Sequence, residues 1–319
     1  MGIHVCRYRN NDGISWGVVK GNAVFQAGEY ETLHEFLVHG KADAFRLDTS
    51  GDGINVGDVE LLAPVTLPCS IVCQGLNYDE HRKESSVSTS SRPPFNMMFM
   101  KASSSLSGPR GDIVRPPGVR LLDYELELGL VIGRDITEPA ALTDATVADY
   151  VAGIVITNDV SARDVQIPQQ QWFKGKSFRT FCPTGPYIYL FDSGDMAKLR
   201  DIDIRLEVNG EIRQQANTSQ LIFEPAETLS ELSRIMDLHP GDLVLTGTPG
   251  GVALNVSSAP VQRIMRFVLG EKKLMTIFLK TQMGNPNYLN DGDVITSTMR
   301  SPDGIIDLGV MEKRVVPES

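Results

Sequence analysis

The amino-acid sequence predicts a mixed α/β protein in which β-strands predominate. Residues 121–133 alternate apolar and polar side chains with a period of two, which is the pattern of a β-strand. Residues 208–211, Val-Asn-Gly-Glu, predict a hairpin, because Asn and Gly tolerate the positive φ angles of a type I′ turn. Helical patterns are few, and one of them runs from residue 225 to about 236.

The chain is long enough for a small domain followed by a large one. Residues 1–65 predict a small β-rich N-terminal domain, with strands at 15–19 and 23–25 and a short helix at 31–38. Residues 66–319 predict the larger domain.

Turns and loops divide the larger domain. Residues 240–242 and 291–293 predict turns that lead into strands at 243–246 and 294–296. Residues 85–91 contain five Ser, one Thr and one Val, a composition that indicates a mobile surface loop.

Composition and charge exclude several classes of function. Thirty basic and forty acidic residues give a net charge of −10, which argues against a nucleic-acid partner. No apolar run approaches the roughly 18 residues that span a bilayer, so no membrane partner is expected. The first residues lack an apolar signal core, and we therefore expect a cytoplasmic protein.

Cysteine and histidine usage limits the metal chemistry that is available. The four cysteines form no C-x-x-C pair, and we expect reduced, mostly buried thiols. The five histidines do not form a cluster suited to zinc. A metal, if the protein binds one, must therefore be held by carboxylates.

Two glutamates stand out in the alternating segment. Glu125 and Glu127 are two residues apart on one strand and so point to the same face. Their carboxylates repel each other unless a cation lies between them or one pKa rises. The alternative is a strand whose polar face is simply exposed to water.

An acidic residue also ends the apolar strand at 153–158. If the chain is helical from Ser161, then Asp159, Arg163 and Gln166 share one face and form a cradle for a ligand. The alternative is an Asp cap with a local Asp–Arg pair.

A third segment offers a general base. His81 and Glu84 are three residues apart, so on a short helix the carboxylate could orient the imidazole and raise its basicity. A surface ion pair is the alternative. The serine-rich residues that follow suggest a lid that becomes ordered when substrate binds.

Two further segments offer groups that could bind an anion. Residues 171–178 include Lys176, which could hold a carboxylate or oxyanion. Residues 245–251 form a glycine-rich loop after a strand, with Thr248 as a hydroxyl donor, but the pattern of a phosphate loop is absent.

These five segments, in this order, resemble the fumarylacetoacetate hydrolase family. The resemblance runs from about residue 71 to 251 and resumes near 292. Its most specific stretches are 123–128, 158–166, 175–178, and 240–242 with 247–249.

The resemblance implies a β-roll catalytic domain and a divalent metal held by Glu125, Glu127 and Asp159. Three hard oxygen ligands favour Mg²⁺ or Mn²⁺, with Ca²⁺ as a substitute. Catalytic roles are implied for His81, Glu84 and Lys176. Substrate-binding roles are implied for Arg163, Gln166, Lys176 and Thr248. Family members are commonly homodimers.

The resemblance also implies a reaction. We expect a metal-dependent hydrolase that cleaves a C–C bond in an acylpyruvate-like 2,4-dioxo acid or a related 1,3-dicarbonyl. A first alternative is an oxaloacetate decarboxylase or a 2-oxo acid isomerase or tautomerase, since all these reactions stabilise an enolate. A second alternative is a non-catalytic homologue that binds a metabolite.

Two departures from the family pattern affect the pocket. Arg179 stands where members often have an acid, which could change the charge of the pocket or be an exchange at the surface. Residues 253–289 form a longer insertion than usual, with apolar helical segments at 261–269 and 274–279. The insertion could wall the pocket, but we favour a position at a subunit interface.

Overall fold

A computed structural model describes residues 1–85, 89–170, 172–192, 194–255 and 271–318. Strands predominate in these residues and helices are few, so the predicted fold class is confirmed. Among the described residues, no helix has both the length and the apolar character needed to cross a bilayer.

The strands fall into one large sheet and two smaller ones. They are β1 (Ile3–Asn10), β2 (Gly13–Lys20), β3 (Ala23–Gly28), β4 (Ile54–Asn55), β5 (Glu60–Leu62), β6 (Ile71–Gly75), β7 (Met97–Lys101), β8 (Leu106–Ser107), β9 (Asp112–Arg115), β10 (Leu122–Asp123), β11 (Leu126–Ile132), β12 (Val151–Asn158), β13 (Ser161–Ala162), β14 (Cys182–Leu190), β15 (Asp203–Val208), β16 (Glu211–Asn217), β17 (Leu243–Leu245), β18 (Val294–Arg300) and β19 (Asp307–Pro317).

The helices are short. They are α1 (Leu33–Glu35), α2 (Lys41–Ala44), α3 (Asp79–Glu84), α4 (Arg163–Gln169), α5 (Trp172–Lys176), α6 (Pro225–Leu232) and α7 (Glu271–Met283). A π-helical turn at Phe36–Gly40 joins α1 to α2. Single 3₁₀ turns lie at Val56–Asp58, Ser103–Ser105, Val147–Asp149, Asp195–Arg200 and Thr218–Gln220.

The large sheet has twelve strands and includes all the strands of residues 1–65. Its order is β4-β3-β2-β1-β14-β12-β11-β17-β6-β7, with β5 on β1 and β8 on β14. A second sheet has the order β16-β15-β18-β19-β9, and β10 pairs with β13. The N-terminal strands thus continue the large sheet through the β1–β14 pair. The predicted domain boundary after residue 65 stays a prediction.

Strands β11 and β12 are buried on both faces. One face of β11, with Leu128 and Leu130, packs in the cluster that also contains side chains of β15, β18 and β19. On the opposite face, Val131 packs with Val155 against the N-terminal strands. The polar positions of the alternating segment therefore face protein instead of water, which excludes the exposed-strand alternative for Glu127, itself 1% exposed.

Several local predictions can be compared with the structure. The hairpin is confirmed, since Asn209 and Gly210 have φ angles of 53° and 80°. The helix predicted to reach about residue 236 ends at Leu232 and continues only as turns. Within the insertion, the segment 274–279 lies in α7, whereas the helix predicted at 261–269 lies outside the described residues. Part of the proposed lid, residues 86–88, also lies outside them.

Candidate metal centre and active site

Three carboxylates meet where β11 and β12 adjoin. The strands are antiparallel with Leu126 opposite Asn158, so the start of β11 lies beside the end of β12. Glu125 and Glu127 flank the first residue of β11, and Asp159 directly follows β12. One oxygen of each carboxylate lies within 4.8 Å of one from each of the others, and all three residues are buried.

Glu125 and Glu127 lie in the same carboxylate group although the strand predicted over residues 121–133 is interrupted. Residues 124 and 125 lie between β10 and β11, and side chains take over the backbone hydrogen bonds there. The Glu125 N–H donates to Asn158 Oδ1 at 3.0 Å, and the Leu126 N–H donates to Gln214 Oε1 at 2.9 Å. These bonds pair buried backbone N–H groups of the interruption, which offsets the cost of burying them.

Three buried cations surround these carboxylates. Lys176 Nζ donates to Glu125 Oε2 at 2.7 Å and to Asp159 Oδ2 at 2.5 Å. Lys101 Nζ donates to Asp159 Oδ1 at 2.5 Å and also to the Lys176 carbonyl. The Arg163 guanidinium donates to Glu125 Oε1. Burial alone would raise the pKa of Glu125, but Arg163 and Lys176 hold it below the ordinary value.

Glu127 is the carboxylate that these cations leave unpaired. Its Oε2 accepts from the Gly247 N–H at 2.7 Å, but its buried Oε1 has no hydrogen-bond partner among the described residues. Burial raises the pKa of Glu127 well above the ordinary value, and Asp159 and Glu125 raise it further. A buried carboxylate oxygen with no donor, beside two further carboxylates, fits a hard divalent cation. The residues that would hold the ion are Glu125, Glu127 and Asp159.

The predicted base pair lies on α3, after strand β6. His81 is 7% exposed and lies close enough to Glu125 to lower the pKa of that carboxylate. Its Nδ1 is 3.6 Å from Glu84 Oε2, and both atoms are buried without a hydrogen bond among the described residues. The other oxygen of Glu84 accepts from the Gly251 N–H at 2.7 Å. His81 is therefore buried beside the carboxylates, while the Glu84 side chain is 32% exposed and reaches the site from its edge.

Arg163 has different partners from those expected. Residues 161–162 form β13, and the helix begins at Arg163 itself, so Asp159 lies off that helix. Instead of an Asp159–Arg163 pair, Arg163 Nε donates to Asp123 Oδ2 at 2.8 Å. One of its terminal nitrogens donates to Gln166 Oε1 at 2.9 Å. Arg163 and Gln166 nevertheless lie together, and Arg163 also bonds Glu125, but Asp159 does not share their helix face as the cradle hypothesis assumed.

Thr248 lies at the same end of β11. Its hydroxyl donates to the Leu126 carbonyl at 3.1 Å and accepts from Gln214 Nε2 at 2.7 Å. The hydroxyl proton is thus engaged within the protein. A substrate-binding role for Thr248 stays a prediction, as do the roles of the other predicted site residues.

Sequence reasoning missed three buried residues of this site. They are Lys101, Asp123 and Gln214. Lys101 ends the apolar strand β7, and a lysine in such a position is a weak signal of a buried charge. Asp123 is one of the polar positions of the alternating segment 121–133, and nothing in that pattern separates it from a position that faces water. Gln214 carries no signal, because its role depends on a strand interruption 88 residues away.

Replacing Lys101 by Met should destabilise the protein strongly. The change leaves Asp159 without one of its two buried ion pairs, and we expect a loss of about 3–5 kcal/mol in urea denaturation. Lys83 is the matched control, because it forms an exposed ion pair with Glu80 at 2.5 Å. Lys83→Met should not measurably change the midpoint of urea denaturation. Equal losses of stability in the two variants would contradict a buried, stabilising Lys101–Asp159 ion pair.

Replacing Gly251 by Ala should also be costly. The φ of Gly251 is +102°, and an added Cβ would lie 1.9 Å from the Arg213 carbonyl oxygen. We expect a loss of about 2–4 kcal/mol together with lower activity, since Gly251 holds Glu84. Gly21 provides the control, because its φ is +59° and an added Cβ meets nothing within 4 Å. Gly21→Ala should cost about 1 kcal/mol and leave activity unchanged.

The chain is similar in sequence to one protein family and to several known enzymes. Residues 70–316 match the family described as "Fumarylacetoacetate (FAA) hydrolase C-terminal". The chain is 38% identical to a mitochondrial oxaloacetate tautomerase of Bos taurus over 259 residues, 79% of each chain. It is 40% identical to a 2,4-didehydro-3-deoxy-L-rhamnonate hydrolase of Sphingomonas sp. (strain SKA58) over 222 residues, covering 68% of this chain and 74% of that one.

Solved structures agree with this assignment. Fumarylacetoacetate hydrolase from Exiguobacterium antarcticum superposes with a TM-score of 0.73 at 30% identity, covering 99% of this chain and 100% of that one. A 2-hydroxyhepta-2,4-diene-1,7-dioate isomerase from Mycobacterium marinum gives a TM-score of 0.70 at 28% identity, covering 99% of both. The fold class and the resemblance predicted from sequence are confirmed. The chain belongs to the fumarylacetoacetate hydrolase family.

Proposed function

We propose that the protein is a divalent-metal-dependent hydrolase that cleaves a C–C bond in an acylpyruvate-like 2,4-dioxo acid or a related 1,3-dicarbonyl. The observation that carries the proposal is the His81–Glu84 pair, with His81 buried, beside three carboxylates, one of which has an oxygen without a partner among the described residues. The rhamnonate hydrolase among the relatives supports it. The proposed ion is Mg²⁺ or Mn²⁺, with Ca²⁺ as a substitute.

The side chains can divide the chemistry among them. A bound divalent ion would supply Lewis-acid polarisation of the substrate oxygens. Arg163 and Lys176 place positive charge where the carboxylate and the developing enolate would lie, and Gln166 offers an amide donor. Because nearly all these groups are buried, their electrostatic effect is not screened by water.

His81 would act as the general base. Its Nδ1 faces Glu84, so Nε2 is the nitrogen that would accept a proton from water. The water oxygen bonds to the distal carbonyl carbon, and the bond from that carbon to the adjacent methylene breaks. The electron pair passes to the pyruvate enolate, which takes up a proton. The products are a carboxylic acid and pyruvate, and one water is consumed.

A second candidate is keto–enol tautomerisation or decarboxylation of an oxaloacetate-like acid. The bovine relative, named an oxaloacetate tautomerase, favours it. In that reaction the His81–Glu84 pair would move a proton between carbon and oxygen without the addition of water. A third candidate is a metabolite-binding protein without activity. The presence together of the three carboxylates, His81, Glu84 and Lys176 weighs against this third reading.

A product assay in ¹⁸O-labelled water separates these candidates. The protein is incubated with Mg²⁺ or Mn²⁺ and with acylpyruvates, cyclic 1,3-diketone acids or oxaloacetate, and the products are analysed by mass spectrometry with chelator controls. A metal-dependent carboxylic acid that carries ¹⁸O supports hydrolysis. Release of carbon dioxide or an unlabelled isomer would favour the second candidate, and binding without turnover would favour the third.

Assembly and location are also proposals. We propose a homodimer, on the strength of the family, and light scattering of the purified protein tests it. A position of the insertion at the subunit interface belongs to the same proposal. We propose a cytoplasmic location from the sequence, although the bovine relative is named as mitochondrial. Imaging of the tagged protein in its native cell decides between these locations.

A further inference from the structure

Asp123 is a buried carboxylate outside the group that fits a metal. It is 0% exposed and accepts hydrogen bonds on both oxygens. Arg163 Nε donates to Oδ2 at 2.8 Å. The remaining donors are backbone N–H groups, of which two belong to Ala253 and Leu254, at 2.8 and 3.1 Å. Asp123 thus joins the predicted substrate-binding arginine to the chain that follows Thr248.

The same chain segment contacts the proposed base. We call residues 251–255 the anchor loop. Gly251 donates its N–H to Glu84 Oε1 at 2.7 Å, and Tyr124 donates its hydroxyl to the Gly251 carbonyl at 3.1 Å. One short loop therefore touches both the His81–Glu84 pair and, through Asp123, the Arg163 side chain.

Helix α7 and the residues after it hold the anchor loop from the other side. Gln282 Nε2 donates to the Asn255 carbonyl at 2.7 Å, and Asn285 Nδ2 donates to the Ala253 carbonyl at 2.7 Å. The Tyr288 hydroxyl donates to Gln282 Oε1 at 2.8 Å, which fixes the orientation of that amide. Gln282 and Tyr288 are each 5% exposed, so water does not readily replace these bonds.

We propose that Asp123 is a positioning residue for Arg163, and that Gln282 and Asn285 act on it through the anchor loop to set how tightly an anionic substrate is held. The proposal rests on the proposed function in one respect only, that Arg163 binds a carboxylate of the substrate. Arg163 needs such positioning because its fork already lies between Glu125 and Gln166. After a small rotation of the guanidinium, Arg163 would hydrogen-bond Glu125 or Gln166 in place of the substrate carboxylate.

The contacts of Gln282 and Asn285 predict that their loss changes the affinity for an anionic substrate more than it changes kcat. The three proposed metal ligands lie where β11 and β12 pair, and none of the described hydrogen bonds joins them to the anchor loop. Gln282 and Asn285 bond only the 253–255 part of the loop, whereas Gly251 keeps its own bond to Glu84. Removing these two amides should therefore weaken anion binding more than it lowers turnover or metal affinity. This distinguishes positioning from a general loss of structure, which would affect all three together.

The test is the double variant Gln282→Ala/Asn285→Ala, with oxalate as the anionic probe in the presence of Mn²⁺. We expect the Kd for oxalate and the KM for an acylpyruvate to rise about tenfold, because two part-buried hydrogen bonds to the anchor loop are lost. The value of kcat should change less than about threefold, and Mn²⁺ affinity should be unchanged. Thr281→Ala is the matched control, since this exposed hydroxyl donates within its own helix, to the Ile277 carbonyl, and bonds nothing else among the described residues. It should leave every constant as in the wild type.

A second variant, Asp123→Asn, tests the carboxylate that joins Arg163 to the anchor loop. It keeps the shape of the side chain but removes the charge that orients Arg163, and its Kd for oxalate should rise at least as much. An unchanged Kd in the folded double variant, or a parallel loss of Mn²⁺ affinity, would overturn the proposal. Wild-type protein that does not bind oxalate would also overturn it. If the wild type binds oxalate but does not cleave acylpyruvates, the proposed reaction fails, while the binding measurements still decide this inference.

Discussion

Glu127→Gln should abolish metal binding and activity while making the metal-free protein more stable. In the wild type, Glu127 has a buried carboxyl group with one unpartnered oxygen, and no described cation forms an ion pair with it. A glutamine keeps the acceptor for the Gly247 N–H. It also places an amide donor near the carboxylates of Glu125 and Asp159. We expect a gain of about 1–3 kcal/mol in the free energy of unfolding.

The size of this gain should depend on pH. Because burial and the neighbouring carboxylates raise the pKa of Glu127, the folded protein binds a proton more tightly than the unfolded chain. The wild type therefore loses stability as the pH rises from the ordinary carboxylate range toward the raised pKa, and the glutamine variant does not. The difference between the two should be largest at alkaline pH, in chelator.

Glu125→Gln is the matched control because it removes the same charge from the same group of ligands. Glu125, however, accepts bonds from both Arg163 and Lys176. Its replacement should destabilise the metal-free protein by about 3–5 kcal/mol. Both variants should lose the increase in melting temperature that Mn²⁺ gives the wild type, and at least about a hundredfold in activity. Full activity in either variant would refute the metal assignment.

The sequence predicted best those features that depend on local pattern. The alternation around Glu125 and Glu127, the acid at the end of β12 and the spacing of His81 and Glu84 are all visible within a few residues. The hairpin at Asn209 follows from backbone preferences of two residues. Each of these local features is present in the structure, and together they place the candidate site.

Features that depend on pairing between distant segments were missed. Lys101 forms its ion pair with Asp159 only because β6 and β7 lie at the same end of the large sheet as β17 and β11. Both faces of β11 are buried because the N-terminal strands cover one of them, which periodicity alone cannot show. The start of α4 was misplaced because residues 161–162 pair with β10 instead of continuing into the helix.

The combination of local and distant contacts explains why the charges of the site can be stable. Asp123, Glu125, Glu127 and Asp159 face Lys101, Lys176 and Arg163, so four carboxylates meet three cations. The excess negative charge lies on Glu127, next to the other two members of the predicted ligand group. A divalent ion would remove that excess and leave a positive balance, which favours an anionic substrate.

His81→Asn should lower C–C hydrolysis by about a hundredfold to ten-thousandfold, the usual contribution of a general base. The asparagine fills a similar space but cannot accept a proton at neutral pH. Metal affinity should be unchanged, since the proposed ligands are carboxylates. The KM should change little, because Arg163 and Gln166 remain in place. The measurement is a steady-state assay of the acid product, with Mn²⁺ titrated separately.

Two further variants make this result specific. Glu84→Gln keeps an acceptor for the Gly251 N–H but loses the charge that faces His81, so kcat should fall less, by about tenfold to a hundredfold. His39→Asn changes an exposed histidine and should have no effect. If His81→Asn retained more than about a tenth of the wild-type kcat, water activation would have to come from another group. The proposed hydrolysis would then lose its base, and proton transfer without water addition would become the better account of the site.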